Sequence, residues 1–214
     1  MRILHALSET PIGRALAAYF FDLPRWTLVN VLLALSLAPA LLAALSGTPE
    51  SIGVFCLPAA LVSAGMVNMA ARQAGEDAPR WRDTLRYPDT YLVAFLLWVV
   101  GVVALALLFS DPPAVVFFAI CAVALGLFMV GVFALFLPAL LRVKGLLVWR
   151  NALLLAVVYP VVALGVLALL AVGGWAVWVS RGGLLLVAPS LWTMIAVFSV
   201  HDRINALKQT ARHD

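Results

Sequence analysis

Residues 135–151 read LFLPALLRVKGLLVWRN, and this stretch predicts the fold of the whole chain. An uncharged apolar run ends at Leu141, and three cations follow within nine residues: Arg142, Lys144 and Arg150. A second apolar run then begins. A helix of about 20 apolar residues crosses a bilayer, and Lys and Arg are enriched in the cytosolic loops between such helices. The stretch therefore predicts a chain that leaves a membrane, turns in a basic cytosolic loop and enters the membrane again.

The composition of the chain is that of a membrane protein. Of its 214 residues, 65% are apolar and 11% are charged, whereas soluble domains carry about 25% charged residues. A water-soluble chain of this size could not bury so much apolar surface. The 14 Lys and Arg residues are dispersed at the ends of apolar runs. This placement indicates retention at the cytosolic membrane surface and argues against nucleic-acid binding.

Repetition of the pattern predicts an all-α, polytopic membrane bundle of six transmembrane helices, arranged as three antiparallel hairpins. The expected spans are residues 27–45, 52–71, 90–109, a part of 114–141, 151–172 and 184–200. They form a transmembrane domain at 27–200, between an N-terminal segment at 1–26 and a cytosolic tail at 201–214.

Two of the expected spans contain a predicted interruption. The fourth apolar run is longer than the hydrocarbon layer, so we expect it to tilt or to break near Pro138. In the fifth, we expect Gly173 and Gly174 to interrupt the helix near its outer end.

The distribution of cations predicts the orientation. Six spans place the N-terminal segment, the second-to-third loop, the fourth-to-fifth loop and the tail on one side, and that side carries 13 of the 14 cations. Only Arg181 falls on the other side. By the positive-inside rule, both termini are then cytosolic. An alternative with five spans would move the tail outside and weaken this asymmetry.

The N-terminal segment is expected to be a helix, because it lacks the apolar core of a signal peptide. Thr10 can cap this helix with Pro11 in the first position, and Pro24 is expected to close it. The apolar residues at helical spacing are Ile12, Leu16, Tyr19, Phe20 and Leu23. An amphipathic helix along the inner membrane surface and a helix packed on the cytosolic ends of the bundle both fit this pattern.

Polar and helix-breaking residues occur at matched depths in the first hairpin. If its turn centres on residues 47–51, Asn30 lies at the level of Asn68, and Pro39 lies at the level of Pro58. We therefore predict a hydrogen bond between Asn30 and Asn68 near the cytosolic end. The two prolines either line a small polar pocket or only introduce kinks that help packing.

Two cytosolic segments are candidate docking surfaces. In the first, a short helix that starts near Pro79 would place Trp81 and Leu85 on one face. The candidate docking residues are Arg80, Trp81, Arg82 and Arg86 in the first segment and Arg142, Lys144, Trp149 and Arg150 in the second. Such side chains can bind a protein partner or rest on the lipid bilayer, and the sequence leaves both alternatives open.

Several short motifs resemble the YesL-like family of bacterial integral membrane proteins. They are NVLL at 30–33 with Pro39 further on, PAA at 58–60, Trp81-Arg82, and RNALLLA at 150–156. The resemblance covers most of the chain. It implies a helical multi-pass protein of the bacterial cytoplasmic (inner) membrane, often encoded beside carbohydrate ABC importers and without an assigned reaction.

The sequence argues against an enzyme. No Asp, Glu or His lies well inside an expected span, so the residues for intramembrane proteolysis are missing. A Gly-rich phosphate-binding loop is missing as well, and no residues have the spacing of a metal or cofactor site. A proton-coupled carrier usually keeps an ionisable group at mid-membrane, although a carrier that uses backbone carbonyls stays open.

Two functions therefore stay open. The chain is either an accessory or regulatory protein for an ABC importer or another membrane protein, or a small-solute transporter or transport subunit. Nothing in the sequence indicates a homo-oligomer or excludes one.

Overall fold

The described part of the chain is entirely helical. The structure is a computed structural model that describes residues 10–46, 49–75, 80–110 and 113–210. Within these ranges it contains eight α-helices, two short 3₁₀ helices and no strand, which confirms the all-α prediction. Asp77 and Ala78, the two starts expected for the loop helix, lie outside the described residues, as does Pro79 of its expected first turn.

The helices follow one another with short connections. The α-helices are α1 (Pro11–Phe21), α2 (Leu23–Ser46), α3 (Pro49–Ala74), α4 (Pro88–Phe109), α5 (Ala114–Leu141), α6 (Leu146–Val158), α7 (Pro160–Val179) and α8 (Ala188–Thr210). The 3₁₀ helices are Trp81–Leu85, called the loop helix below, and Gly183–Leu186. Each consecutive pair from α2 to α6 packs together.

The apolar helices indicate insertion into a membrane. Val54–Ala74 of α3 and Ala114–Leu141 of α5 are each long and apolar enough to cross a bilayer. Two bent pairs, α1 with α2 and α6 with α7, pass the same criteria when each pair is counted as one unit. The described residues thus contain two candidate spans, or four with the bent pairs, and the arrangement of six spans as three hairpins stays a prediction.

The expected fifth span is two helices. Helix α6 ends at Val158, α7 begins at Pro160, and the two meet at 95°. Pro160 has no N–H to donate to the preceding turn, and its ring disfavours a helical conformation at Tyr159. The prediction of a break at Gly173 and Gly174 was wrong, because α7 continues through both.

Pro138 does not break α5. The helix continues through it and ends at Leu141, three residues later. Of the two alternatives for this long apolar run, the break is therefore excluded and the tilt stays a prediction.

Helix α1 begins as predicted and packs on α8. Thr10 Oγ1 accepts the Gly13 N–H at 3.0 Å, with Pro11 in the first position. The helix ends at Phe21, before Pro24, and α2 continues at 91° to it. Ala15 and Tyr19 are buried.

The predicted apolar face of α1 is divided. Tyr19 points into the protein, whereas Ile12, Phe20 and Leu23 are exposed. Arg14 pairs with Asp202 of α8, which brings residues near the two ends of the chain together. The packing agrees with the bundle-packed alternative, and contact with the membrane surface stays a prediction.

The main core lies where α3, α5 and α8 meet. Its fully buried side chains include Met66 and Met69 from α3, Leu137 from α5, and Met194 and Val197 from α8. The loop helix packs against α3 of this core.

Candidate functional site

The two predicted docking segments lie side by side. The Gly145 N–H, in the turn after α5, donates to Asp89 Oδ1 in the first turn of α4 at 3.1 Å. This bond joins the loop before α4 to the loop before α6. The exposed cations of these segments, called the basic face below, are Arg80, Arg82, Arg86, Arg142, Lys144 and Arg150.

A buried carboxylate holds the loop helix in place. Asp83 is 3% exposed, and its Oδ2 accepts the Arg80 N–H at 2.9 Å. Its Oδ1 accepts a hydrogen bond from Arg72 Nη1 of α3 at 3.0 Å, and Arg86 Nη1 lies 3.7 Å from the same oxygen. Because a buried charge must be paired and hydrogen-bonded, these contacts determine the position of the loop helix.

The loop helix packs on one face of α3. Asn68 Nδ2 donates to the Thr84 carbonyl at 2.9 Å, one turn before Arg72. One turn earlier still, a Cβ on Gly65 would lie 3.3 Å from the Thr84 side chain. Residues three and four apart share a helix face, so Gly65, Asn68 and Arg72 contact the loop together. Neither Gly65 nor this role of Arg72 was predicted from the sequence. The available signal was their shared spacing with Asn68.

The loop helix exposes two large apolar side chains. Trp81 is 47% exposed and Leu85 is 74% exposed. The predicted helix is present, but it is 3₁₀ rather than α. With 3.0 residues per turn, positions four apart differ by about 120°, so Trp81 and Leu85 do not share one face as predicted. Both are exposed, and the exposed Arg80, Arg82 and Arg86 are their neighbours in the chain.

The second segment is a rigid turn. Arg142 adopts the left-handed conformation, with φ of 57°, and its N–H closes α5 on the Pro138 carbonyl at 3.0 Å. Gly145 has φ of 61° and ψ of −139°, a region open almost only to glycine. Trp149 is half-buried and packs on the core, so it supports α6, and a docking role for it stays a prediction.

The predicted bond between Asn30 and Asn68 was wrong. Asn68 bonds to the loop helix, whereas Asn30 Nδ2 donates to Ser190 Oγ at 2.7 Å and Asn30 Oδ1 accepts the Ser190 N–H at 3.0 Å. Ser190 is the third residue of α8, and such N–H groups have no partner within their own helix. The Asn30 side chain therefore caps α8. Matched depth in the hairpin could not reveal this partner, since it lies 160 residues away.

The Asn30–Ser190 contact also bears on the expected spans. The six-span prediction places Asn30 near the cytosolic end of the first span and Ser190 near the middle of the sixth. Within that arrangement, their contact requires one of the two helices to be tilted or shifted along the membrane normal. Helix α8 is also not among the candidate spans of the described residues.

An apolar cavity lies among the helices. Its volume is about 570 Å³, and α2, α3, α4, α5, α7 and α8 all contribute to its wall, together with Leu185. Neither Pro39 nor Pro58 lines it, so the pocket that these two prolines were predicted to line is not this cavity.

No protein-family model, curated protein or solved structure matches this chain. The resemblance to the YesL-like family therefore stays a prediction that rests on the short motifs.

Proposed function

We propose that this chain is a non-enzymatic membrane protein that acts as an accessory or regulatory protein for a carbohydrate ABC importer. In this proposal, the loop helix and the basic face bind the cytosolic side of the importer. The observation that supports it best is that buried Asp83 holds the loop helix while Trp81 and Leu85 remain exposed.

The geometry suits protein recognition because the binding groups are ordered before contact. The five-residue loop helix is fixed by Asp83, by the Asn68 bond and by packing at Gly65. Pre-ordering lowers the entropy cost of binding. Trp and Arg are also the residues that most often dominate the energy of protein interfaces.

The charges of the site suggest the chemistry of the partner. Arg72 pairs with the buried carboxylate of Asp83. The six cations of the basic face are exposed, whereas the carboxylate of Asp89 between the segments is half-buried and accepts the Gly145 N–H. Complementarity favours a partner surface that is acidic around an apolar pocket for Trp81.

We propose that the basic face lies on the cytosolic side of a bacterial cytoplasmic membrane, with both termini on that side. We also propose that the chain is related to the YesL-like family. Two contacts support this orientation. Gln73 Nε2 at the end of α3 donates to the Ala18 carbonyl of α1 at 3.0 Å, and Arg14 of α1 pairs with Asp202 of α8. Residues near both ends of the chain are thereby connected to the end of α3 that carries the loop helix.

Small-solute transport is supported less well. A carbohydrate needs many hydrogen bonds to replace those it makes with water. Three of the four side-chain donors in the cavity wall bond to protein atoms, and within the described residues only the indole N–H of Trp192 does not: Trp98 Nε1 donates to Ser63 Oγ, Ser63 Oγ to the Ala59 carbonyl, and Thr193 Oγ1 to the Pro189 carbonyl. The cavity thus favours an apolar occupant over a sugar.

The test is a quantitative pull-down from native membranes with Trp81→Ala and unaltered protein at equal expression. If Trp81 is an interface hot spot worth about 2 kcal/mol, affinity for the importer falls roughly 30-fold. Trp175→Ala is the matched control, because Trp175 is an exposed tryptophan of α7 outside the basic face. Equal recovery of the importer with all three proteins would contradict the proposed function.

A further inference from the structure

The cavity lies at the middle of the two helices that are candidate spans by themselves. Residue 64 is the centre of Val54–Ala74, and residues 127 and 128 are the centre of Ala114–Leu141. Ser63 and Met66 of α3 and Phe128 of α5 line the cavity. Its level along these helices is therefore that of the hydrocarbon core.

The wall of the cavity has no charge and few hydrogen-bond donors. Its lining contains no Asp, Glu, Lys, Arg or His. The side-chain donors of Trp98, Ser63 and Thr193 are used within the protein, which leaves only the indole N–H of Trp192 in this lining. A polar occupant would lose most of its hydrogen bonds without replacement, so the wall favours a neutral aliphatic group.

Two glycines give the wall its shape. A Cβ on Gly131 would lie 2.3 Å from Leu97 Cδ2, and a Cβ on Gly173 would lie 2.0 Å from the Trp192 ring. Leu97 and Trp192 both line the cavity. The side chains of Leu97 and Trp192 each pack directly over a glycine of a neighbouring helix. They therefore lie against the wall of the cavity and leave its volume open.

The volume is that of a ligand site. Apolar cavities that stay empty in protein cores are about 150 Å³, whereas ligand pockets range from about 300 to 1,000 Å³. The value of about 570 Å³ falls in the second class.

We propose that this cavity binds one hydrocarbon chain of a membrane lipid. At the level of the cavity, lipid chains are the surrounding solvent of α3 and α5, and no other apolar group is as abundant there. Leu170 of α7 lines the cavity and is 49% exposed, which makes α7 the side from which a chain enters. The site is independent of the basic face and of the proposed accessory function.

The test uses the full chain in vesicles of phosphatidylcholine that carries a photoactivatable diazirine in the middle of one acyl chain. After illumination, labelled residues are mapped by mass spectrometry of peptides. We expect adducts on the cavity residues Met66, Leu97 and Trp98, in addition to adducts on exposed apolar positions such as Leu35 and Leu127.

A cavity-filling variant distinguishes the site from general lipid contact. A Cβ on Gly101 would lie 3.5 Å from the Phe128 ring, so Gly101→Leu places its side chain at the cavity wall. We expect this variant to lose the cavity adducts and to keep those at Leu35 and Leu127. Gly126→Leu is the control, because a Cβ there meets nothing within 4 Å, and it should keep both sets.

Three outcomes would overturn the proposal. The first is labelling confined to exposed positions, and the second is unchanged cavity labelling in Gly101→Leu. The third is cavity labelling by a free diazirine alkane but not by the phospholipid. If Gly101→Leu loses the exposed adducts as well and so fails to fold, Gly174→Leu replaces it, since Gly174 lines the cavity with open space at its Cβ.

Discussion

Replacing Asn30 tests whether its side chain caps α8 and whether its partner is Ser190 rather than Asn68. Asn30→Leu removes two buried hydrogen bonds to Ser190, one to Oγ and one from the backbone N–H. Hydrogen bonds between membrane helices contribute about 0.6–1.7 kcal/mol each, so we expect a loss of about 1–3 kcal/mol in the free energy of unfolding. Reversible unfolding in mixed micelles with an increasing fraction of SDS measures this loss.

A double-mutant cycle identifies the partner. Ser190→Ala removes the bond from Asn30 to Oγ and the side-chain interaction with Tyr19, so it should cost about 1 kcal/mol less in the Asn30→Leu background than it does alone. The coupling energy between Asn30 and Ser190 is thus about 1 kcal/mol. Asn68→Leu is the control, because Asn68 bonds to the loop helix and its loss should add fully to that of Asn30→Leu. Additive losses for Asn30 with Ser190, or strong coupling of Asn30 with Asn68, would refute the assigned network.

Three further changes test the basic face and its orientation. Asp83→Ala should release the loop helix and raise amide hydrogen exchange at residues 80–86, and unchanged exchange would show that the carboxylate does not hold it. Gly145→Ala should lower the free energy of unfolding by about 1–3 kcal/mol through backbone strain, whereas Gly126→Ala, inside α5, should not lower it. In a background without other cysteines, Lys144→Cys should resist a membrane-impermeant maleimide in intact cells and Ser110→Cys should react, and the reverse pattern would invert the proposed orientation.

Local features of the fold could be predicted from the sequence. The apolar runs predict the helices because each run alone carries the hydropathy that drives a helix into a membrane. Thr10 and Pro11 predict the start of α1 because a cap needs only neighbouring residues. The loop helix at Trp81 is local in the same way, although its 3₁₀ form was not predictable.

Features that depend on distant residues could not be predicted. Pro138 and Pro160 both lie in uncharged segments rich in apolar residues, yet α5 continues through the first and the chain bends by 95° at the second. Packing between helices decides this difference, and a single sequence does not contain it. The partner of Asn30 and the cavity were hidden for the same reason, since both form only when helices far apart in the chain meet.

The contact between Asn30 and Ser190 sets the order in which the protein can be completed. The ribosome adds about 5–20 residues per second, so Asn30 is made about 8–32 s before the residue that it caps. During this interval the early helices enter the bilayer with one polar amide still without its final partner. Docking of α8, together with the Arg14–Asp202 pair, therefore comes late in the assembly of the described helices. Damage in α8 is expected to trap an inserted but unfinished bundle for quality-control proteases to find.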